Sequence, residues 1–264
     1  MVRLNAQQVE YKLRHEEKIF ELKGLIKFHL GTAEPIIVKQ CDVVGNIMQE
    51  WLQSWFDKHD VAYLPSDNTQ MPPDFYLNPD DKTKDLLEVK AFNISSSPAF
   101  DIASFSVFQR EIIENPEMLD VNYLIFGYEM KKETGDIEIK KMWLKKIWDI
   151  TRPMIQTPDE NEKKLGLKEG KRWPITLQIK KGRVEKLRPG SWYSNSRDYK
   201  IFGNIEPFLS AIEEAVYQNS ETKPEYNGWK QRLIKKYRQM YGITLNIPKW
   251  DDIRHNYLLR KEID

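Results

Sequence analysis

The chain has 264 residues, 40% of them hydrophobic and 31% charged, with a formal net charge of +1. That length carries a sizeable core, as one domain or one domain with an appendage. No apolar run reaches the length of a membrane span, and the single cysteine, Cys41, excludes a disulfide framework and a cysteine-based zinc site.

The first residues lack the apolar stretch of a signal peptide, so a cytoplasmic protein is expected. Residues 6–20 read as a charged amphipathic helix. Gly24, Gly31 and Pro35 then favour a hairpin pairing 25–30 with 36–40. Residues 43–56 predict a helix, with Val44, Ile47, Met48, Trp51, Leu52 and Trp55 on one stripe and Asp42 as a possible cap. Glu50 lies off that stripe. A short strand follows at 61–64 and a loop at 65–71. Strand-favouring residues 74–77, a turn at 78–81 and a strand at 85–92 make a central hairpin.

A Ser-rich connection at 93–98 leads to a predicted helix over 99–115, with Phe100, Ala103, Phe108 and Ile112 among its apolar positions. Residues 121–128 and 137–144 form two strands joined by a turn at 134–136, followed by a short helix at 145–150. Residues 151–171, broken by Pro153, Pro158, Gly166 and Gly170, read as a long loop. A second hairpin pairs 175–179 with 183–187 around 180–182. A loop at 189–198 holds Trp192, Tyr193, Asn195, Ser196 and Arg197. Helices are expected at 205–218 and 229–241, the latter basic.

Charge is unevenly spread. Residues 140–200 hold 17 Lys/Arg against 7 Asp/Glu, a local charge of +10, which leaves −9 on the rest. A basic segment interleaved with aromatics fits a polyanion-binding surface, and fits a solvated lysine-rich surface equally well.

The central hairpin carries the chemistry. Side chains alternate along a strand, so Leu87, Val89 and Ala91 share a face suited to a core, and Leu86, Glu88 and Lys90 share the other. Asp74 opens the neighbouring strand. Two carboxylates are what a hard divalent cation such as Mg2+ takes from a protein, the remaining positions being filled by water. A lysine beside them can orient a water or offset phosphate charge. The same residues also fit a solvated hairpin with a Glu/Lys surface pair. His15, His29, His59 and His255 are scattered and suggest no ligand cluster, so oxygen ligands are expected for any metal.

Helix, strand, strand, strand, helix, strand over 43–128, with Pro73-Asp74 and Glu88-Val89-Lys90 on the second and third strands, resembles the PD-(D/E)xK nuclease superfamily. The resemblance covers about a third of the chain and implies an α/β (α+β) core with a central mixed sheet flanked by helices. It implies a single domain over 1–264, with the nuclease core at about 43–128 and DNA-recognition additions at about 140–200. The size is similar to that of stand-alone type II restriction endonucleases. The runs Leu87-Glu88-Val89-Lys90-Ala91-Phe92-Asn93, Ser97-Pro98-Ala99-Phe100-Asp101-Ile102-Ala103, Asn122-Tyr123-Leu124-Ile125-Phe126-Gly127-Tyr128 and Trp143-Leu144-Lys145-Lys146-Ile147-Trp148 resemble the NgoBV-type group, which implies the target GGNNCC.

By the same resemblance, Asp74, Glu88 and Lys90 are the catalytic residues, with Asp74 and Glu88 as Mg2+ ligands (Mn2+ may replace Mg2+). Members of the superfamily often add a carboxylate from the first core helix. Glu50 fits that place, and fits an exposed helix glutamate equally well. The implied reaction is hydrolysis of double-stranded DNA leaving 5′ phosphates, in a host protected by a cognate DNA methyltransferase. The sequence holds one copy of the motif and no internal repeat, so a double-strand break at a symmetric target takes two chains, and a homodimer on DNA is expected. Arg183, Arg188, Asn195 and Arg197 sit on hairpin or loop segments and are candidates for base reading, though phosphate contact or solvation suits each as well. Trp143, Trp148, Trp229 and Tyr237 are candidate dimer-interface residues, though each such residue is more often ordinary packing. Two rival functions remain open, a structure-specific or repair nuclease on the same core and a non-catalytic DNA-binding protein.

Overall fold

A computed structural model of the chain describes residues 1–31, 33–68, 71–155, 172–190, 192–193 and 200–257. The chain divides into two compact units, one made of Met1–Phe100 and Asp120–Lys146, the other of Asp101–Leu119 and Ile147–Asp264.

The first unit is built on a six-stranded mixed sheet. It opens with helix α1 (Ala6–His15), begun by a reciprocal capping box in which Asn5 accepts from the Gln8 backbone and the Gln8 side chain accepts from that of Asn5. The helix is shorter than the 6–20 expected. It ends at His15, Lys18 turns left-handed (φ 51°), and Ile19–Glu21 form a 3-10 turn. Strand β1 (Lys23–Gly24) then joins the sheet, while β2 (Lys27–Phe28) and β3 (Ile36–Ile37) form a separate hairpin, shorter than the one predicted. Helix α2 (Val44–Lys58) follows a 3-10 turn and starts at Val43 without a side-chain cap.

Strands β4 (Leu64–Pro65), β5 (Phe75–Tyr76) and β6 (Leu86–Asn93) run antiparallel in succession. The chain then enters the second unit as β7 (Ala103–Ser104) and α3 (Phe105–Glu114), and returns as β8 (Asn122–Met130) and β9 (Ile137–Lys145). The sheet order is β1-β9-β8-β6-β5-β4, with β6 and β8 parallel and the other pairs antiparallel. One face is packed by the two helices. Val9 and Leu13 of α1 and Val44, Leu52, Trp55 and Phe56 of α2 join Phe75, Leu87, Val89, Leu124 and Phe126 in a single apolar cluster. Alternation therefore sends Asp74, Glu88 and Lys90 to the opposite face.

The second unit contains α4 (Ile147–Ile150), the pair β10 (Met154–Ile155) and β11 (Arg172–Trp173), and a three-stranded sheet of order β12-β13-β7, in which β12 is Leu177–Lys180 and β13 is Arg183–Leu187. Lys181 and Gly182 both take positive φ (49° and 76°), the geometry of a tight hairpin turn matched to strand twist. The predicted helix over 99–115 forms only from Phe105. Its first part is claimed by pairing, since Ile102 N–H donates to Leu187 O at 2.9 Å and Ala103 and Ser104 pair with Leu187 and Lys186. Helix α5 (Ile205–Gln218) and helix α6 (Trp229–Tyr241) have the predicted bounds. Helix α7 (Trp250–Ile253) follows. For Trp229 the packing alternative holds: it is fully buried, with its indole N–H donating to both Gln109 O and Gln109 Oε1 at 2.9 Å.

Candidate active site

The central hairpin is in register so that Phe75 faces Leu87 and Tyr76 faces Leu86. Asp74 sits one residue ahead of β5. Its N–H donates to Leu87 O at 3.0 Å, and its carboxylate Oδ2 accepts from the Val89 N–H at 2.7 Å. These bonds hold the Asp74 carboxylate beside β6 at the level of Glu88. Lys90, two residues on and on the same face, donates to Glu88 Oε1 at 2.6 Å. The Glu88 side chain is 5% exposed and that of Lys90 21%, so the lysine lies nearer water than the glutamate it pairs with. The sequence expectation of a core face and a site face holds, with the addition that Leu86 is also buried.

Burial dominates the electrostatics. Glu88 is pushed up to about 7 by desolvation, which outweighs the lowering by the Lys90 ammonium, with the Asp74 carboxylate adding to the rise. Asp74 is raised for the same first reason, against lowering by Lys90 and the Val89 N–H. A buried and a half-buried carboxylate beside one ammonium are short of positive charge. Glu88 Oε2 is buried and lacks a hydrogen-bond partner among the described residues. An oxygen-only donor pair with an orphaned carboxylate oxygen fits a hard divalent cation that keeps several waters.

Glu50 is exposed on α2, and among the described residues no three His, Cys, Asp or Glu side chains come together as a metal cluster. The structure thus brings together Asp74, Glu88 and Lys90, and leaves Glu50 apart. One site residue escaped the sequence reading. Tyr123 on β8 is the register partner of Glu88, fully buried, and its phenol is held well above the ordinary value by burial and then by Glu88 and Asp74.

Of the base-reading candidates, Arg183 is exposed beside the β12–β13 turn, 3.6 Å from Glu221. Arg188 is engaged with Asp101 at 2.9 Å. Asn195 and Arg197 lie outside the described residues. Trp143 stacks on Phe92 (centroids 5.8 Å, planes 16° apart), across Gly127, where a side chain would meet the indole at 3.0 Å.

A mixed sheet flanked by helices, with paired carboxylates and a lysine on one strand pair, defines the class as a restriction-endonuclease-like nuclease fold. Comparison with known proteins agrees. The NlaIV restriction endonuclease structure superposes with a TM-score of 0.86 at 49% identity, covering 97% of this chain and 98% of that one. The type II restriction enzyme NlaIV of Neisseria lactamica is 49% identical over 97% of this chain and 99% of its own length. The type II restriction enzyme NgoBV of Neisseria gonorrhoeae is 49% identical over 58% of this chain and 86% of its own. The NgoBV restriction endonuclease family model matches residues 3–257, and the chain belongs to that family, as a type II restriction endonuclease. Among the described residues no helix is long and apolar enough to cross a membrane.

Proposed function

We propose that the chain hydrolyses double-stranded DNA at a specific sequence in a Mg2+-dependent reaction, leaving 5′ phosphates, with Asp74, Glu88 and Lys90 as the catalytic residues. The observation that carries the reading is the buried Glu88 carboxylate, tied to Lys90 on one oxygen, orphaned on the other and beside Asp74. Asp74 and Glu88 would hold the divalent cation, which would supply Lewis-acid stabilisation of the phosphate and a lowered pKa for the attacking water. Asp74, fixed by the Val89 N–H, and Glu88 set the place of the scissile phosphate. Lys90, more exposed than the Glu88 it pairs with, orients the water and offsets phosphate charge. Membership of the NgoBV family supports GGNNCC as the target, a cytoplasmic location and a companion methyltransferase. Arg183 and the basic residues of 140–200 are the proposed DNA contacts, with Asn195 and Arg197 among them.

A symmetric target needs two such centres, one per strand, and an isologous dimer supplies them. The described residues hold one Asp74–Glu88–Lys90 trio. A second copy would also cover apolar surface. The β2–β3 hairpin exposes Phe28, Ile36 and Ile37, with Leu25 and Leu30 exposed beside it in the chain, and exposed apolar patches mark interaction sites.

The test is a digest of DNA of known sequence by the purified protein, with the ends mapped. Discrete fragments with 5′ phosphates, formed with Mg2+ and suppressed by chelator, are expected. A smear would point to a nuclease without sequence preference, and the absence of cutting to a DNA-binding protein.

A further inference from the structure

Two buried polar atoms beside the candidate centre lack a hydrogen-bond partner among the described residues, Glu88 Oε2 and the Tyr123 hydroxyl. They belong to register partners, since β6 and β8 run parallel with Glu88 opposite Tyr123. Register partners present their side chains to the same face of a sheet. One orphan is an acceptor and the other a donor. A buried group without a partner costs stability, and in a native fold it marks a missing ion, water or functional contact. A tyrosine hydroxyl in its ordinary neutral form is a donor. Lys90 already occupies Glu88 Oε1, which leaves Oε2 as the oxygen that needs holding.

We propose that Tyr123 is a positioning residue of the nuclease centre, whose phenolic O–H donates to the Glu88 carboxylate when that carboxylate holds a cation. Lys90 on one oxygen and Tyr123 on the other fix the plane of the carboxylate and aim Oε2 at the cation. The proposal rests on the reading of Asp74 and Glu88 as the cation pair. Ligating carboxylates are held by such outer hydrogen bonds, and losing one typically weakens metal affinity by roughly 10–100-fold.

The test uses the full chain, wild type, Tyr123→Phe and Asp74→Asn, titrated calorimetrically with Mn2+ alone, and melted in chelator. Tyr123→Phe keeps the ring and removes only the hydroxyl. The expected result is Mn2+ binding weakened by roughly 10–100-fold, with a melting temperature in chelator equal to or above that of wild type, because the metal-free protein loses an unsatisfied group. Unchanged Mn2+ affinity in Tyr123→Phe, with weakened binding in Asp74→Asn, would overturn the role of Tyr123 and leave the cation pair standing. Unchanged affinity in both variants would overturn both. A Tyr123→Phe protein that binds weakly and also melts early in chelator would assign Tyr123 to packing and overturn the proposal.

Discussion

Replacing Lys90 by alanine removes the only ammonium within ion-pair reach of Glu88 among the described residues. Cleavage should fall by at least about a hundredfold, the scale of a positioned proton-handling group, with duplex binding in Ca2+ retained. Near-normal single-turnover cleavage would remove Lys90 from the catalytic set. Glu50→Gln, on an exposed helix position, should cleave and bind Mg2+ within a few-fold of wild type. A large loss in metal affinity would return Glu50 to the centre. Glu88 makes stability depend on pH. Its folded pKa of about 7 lies above its ordinary 4.5, so the folded metal-free protein holds this proton more tightly than the unfolded chain. That contribution is full below about pH 4.5 and is lost as pH rises through about 7. Asp74 shifts in the same direction. The lowered carboxyls of Asp81 and Glu138, near 2, titrate below this window. The melting temperature in chelator should therefore fall between about pH 5 and about pH 8, and saturating Mg2+ should reduce that fall. A flat or rising profile in chelator would contradict the raised Glu88.

Among the elements, α6 is tied to α3 through a buried tryptophan. Trp229 opens α6, is fully buried and donates to Gln109 of α3. Trp229→Ala should destabilise the fold by about 3–5 kcal/mol, as for other large-to-small core changes, measured by denaturant unfolding. A loss below about 1 kcal/mol would show that the site collapses around the gap. Sequence reading located α5 and α6 to the residue because their apolar stripes are strong, and Gly228 and Gly242 (φ 72° and 70°) bracket α6. It misplaced the start of α3 because residues 101–104 are decided by β13, far along the chain, and not by local propensity. The same distinction runs through the site. Asp74, Glu88 and Lys90 were legible because one tight hairpin sets their register. Tyr123 was not, because its place opposite Glu88 depends on a parallel pairing reached through the excursion into the second unit, and no local pattern encodes that register. Trp229 stayed between interface and packing for a related reason, since nothing on its own helix reveals the Gln109 carbonyl that receives its indole N–H.

For the whole molecule, one catalytic trio per chain and two strands to cut lead to a dimer on DNA. Phe28→Glu combined with Ile36→Glu places charge on exposed apolar positions of the β2–β3 hairpin, and should shift sedimentation of the protein toward the monomer while leaving Mn2+ affinity unchanged. An unaltered dimer would place the interface elsewhere. The net +10 of residues 140–200 should give duplex affinity that falls steeply with salt. The most direct test of the nuclease centre is a time course on a supercoiled plasmid carrying one GGNNCC site, comparing wild type with Lys90→Ala, each in Mg2+ and in chelator. The account predicts linear product from the wild type in Mg2+ alone, and intact supercoils from Lys90→Ala under both conditions. Linearisation by Lys90→Ala at the wild-type rate, or by the wild type in chelator, would contradict it.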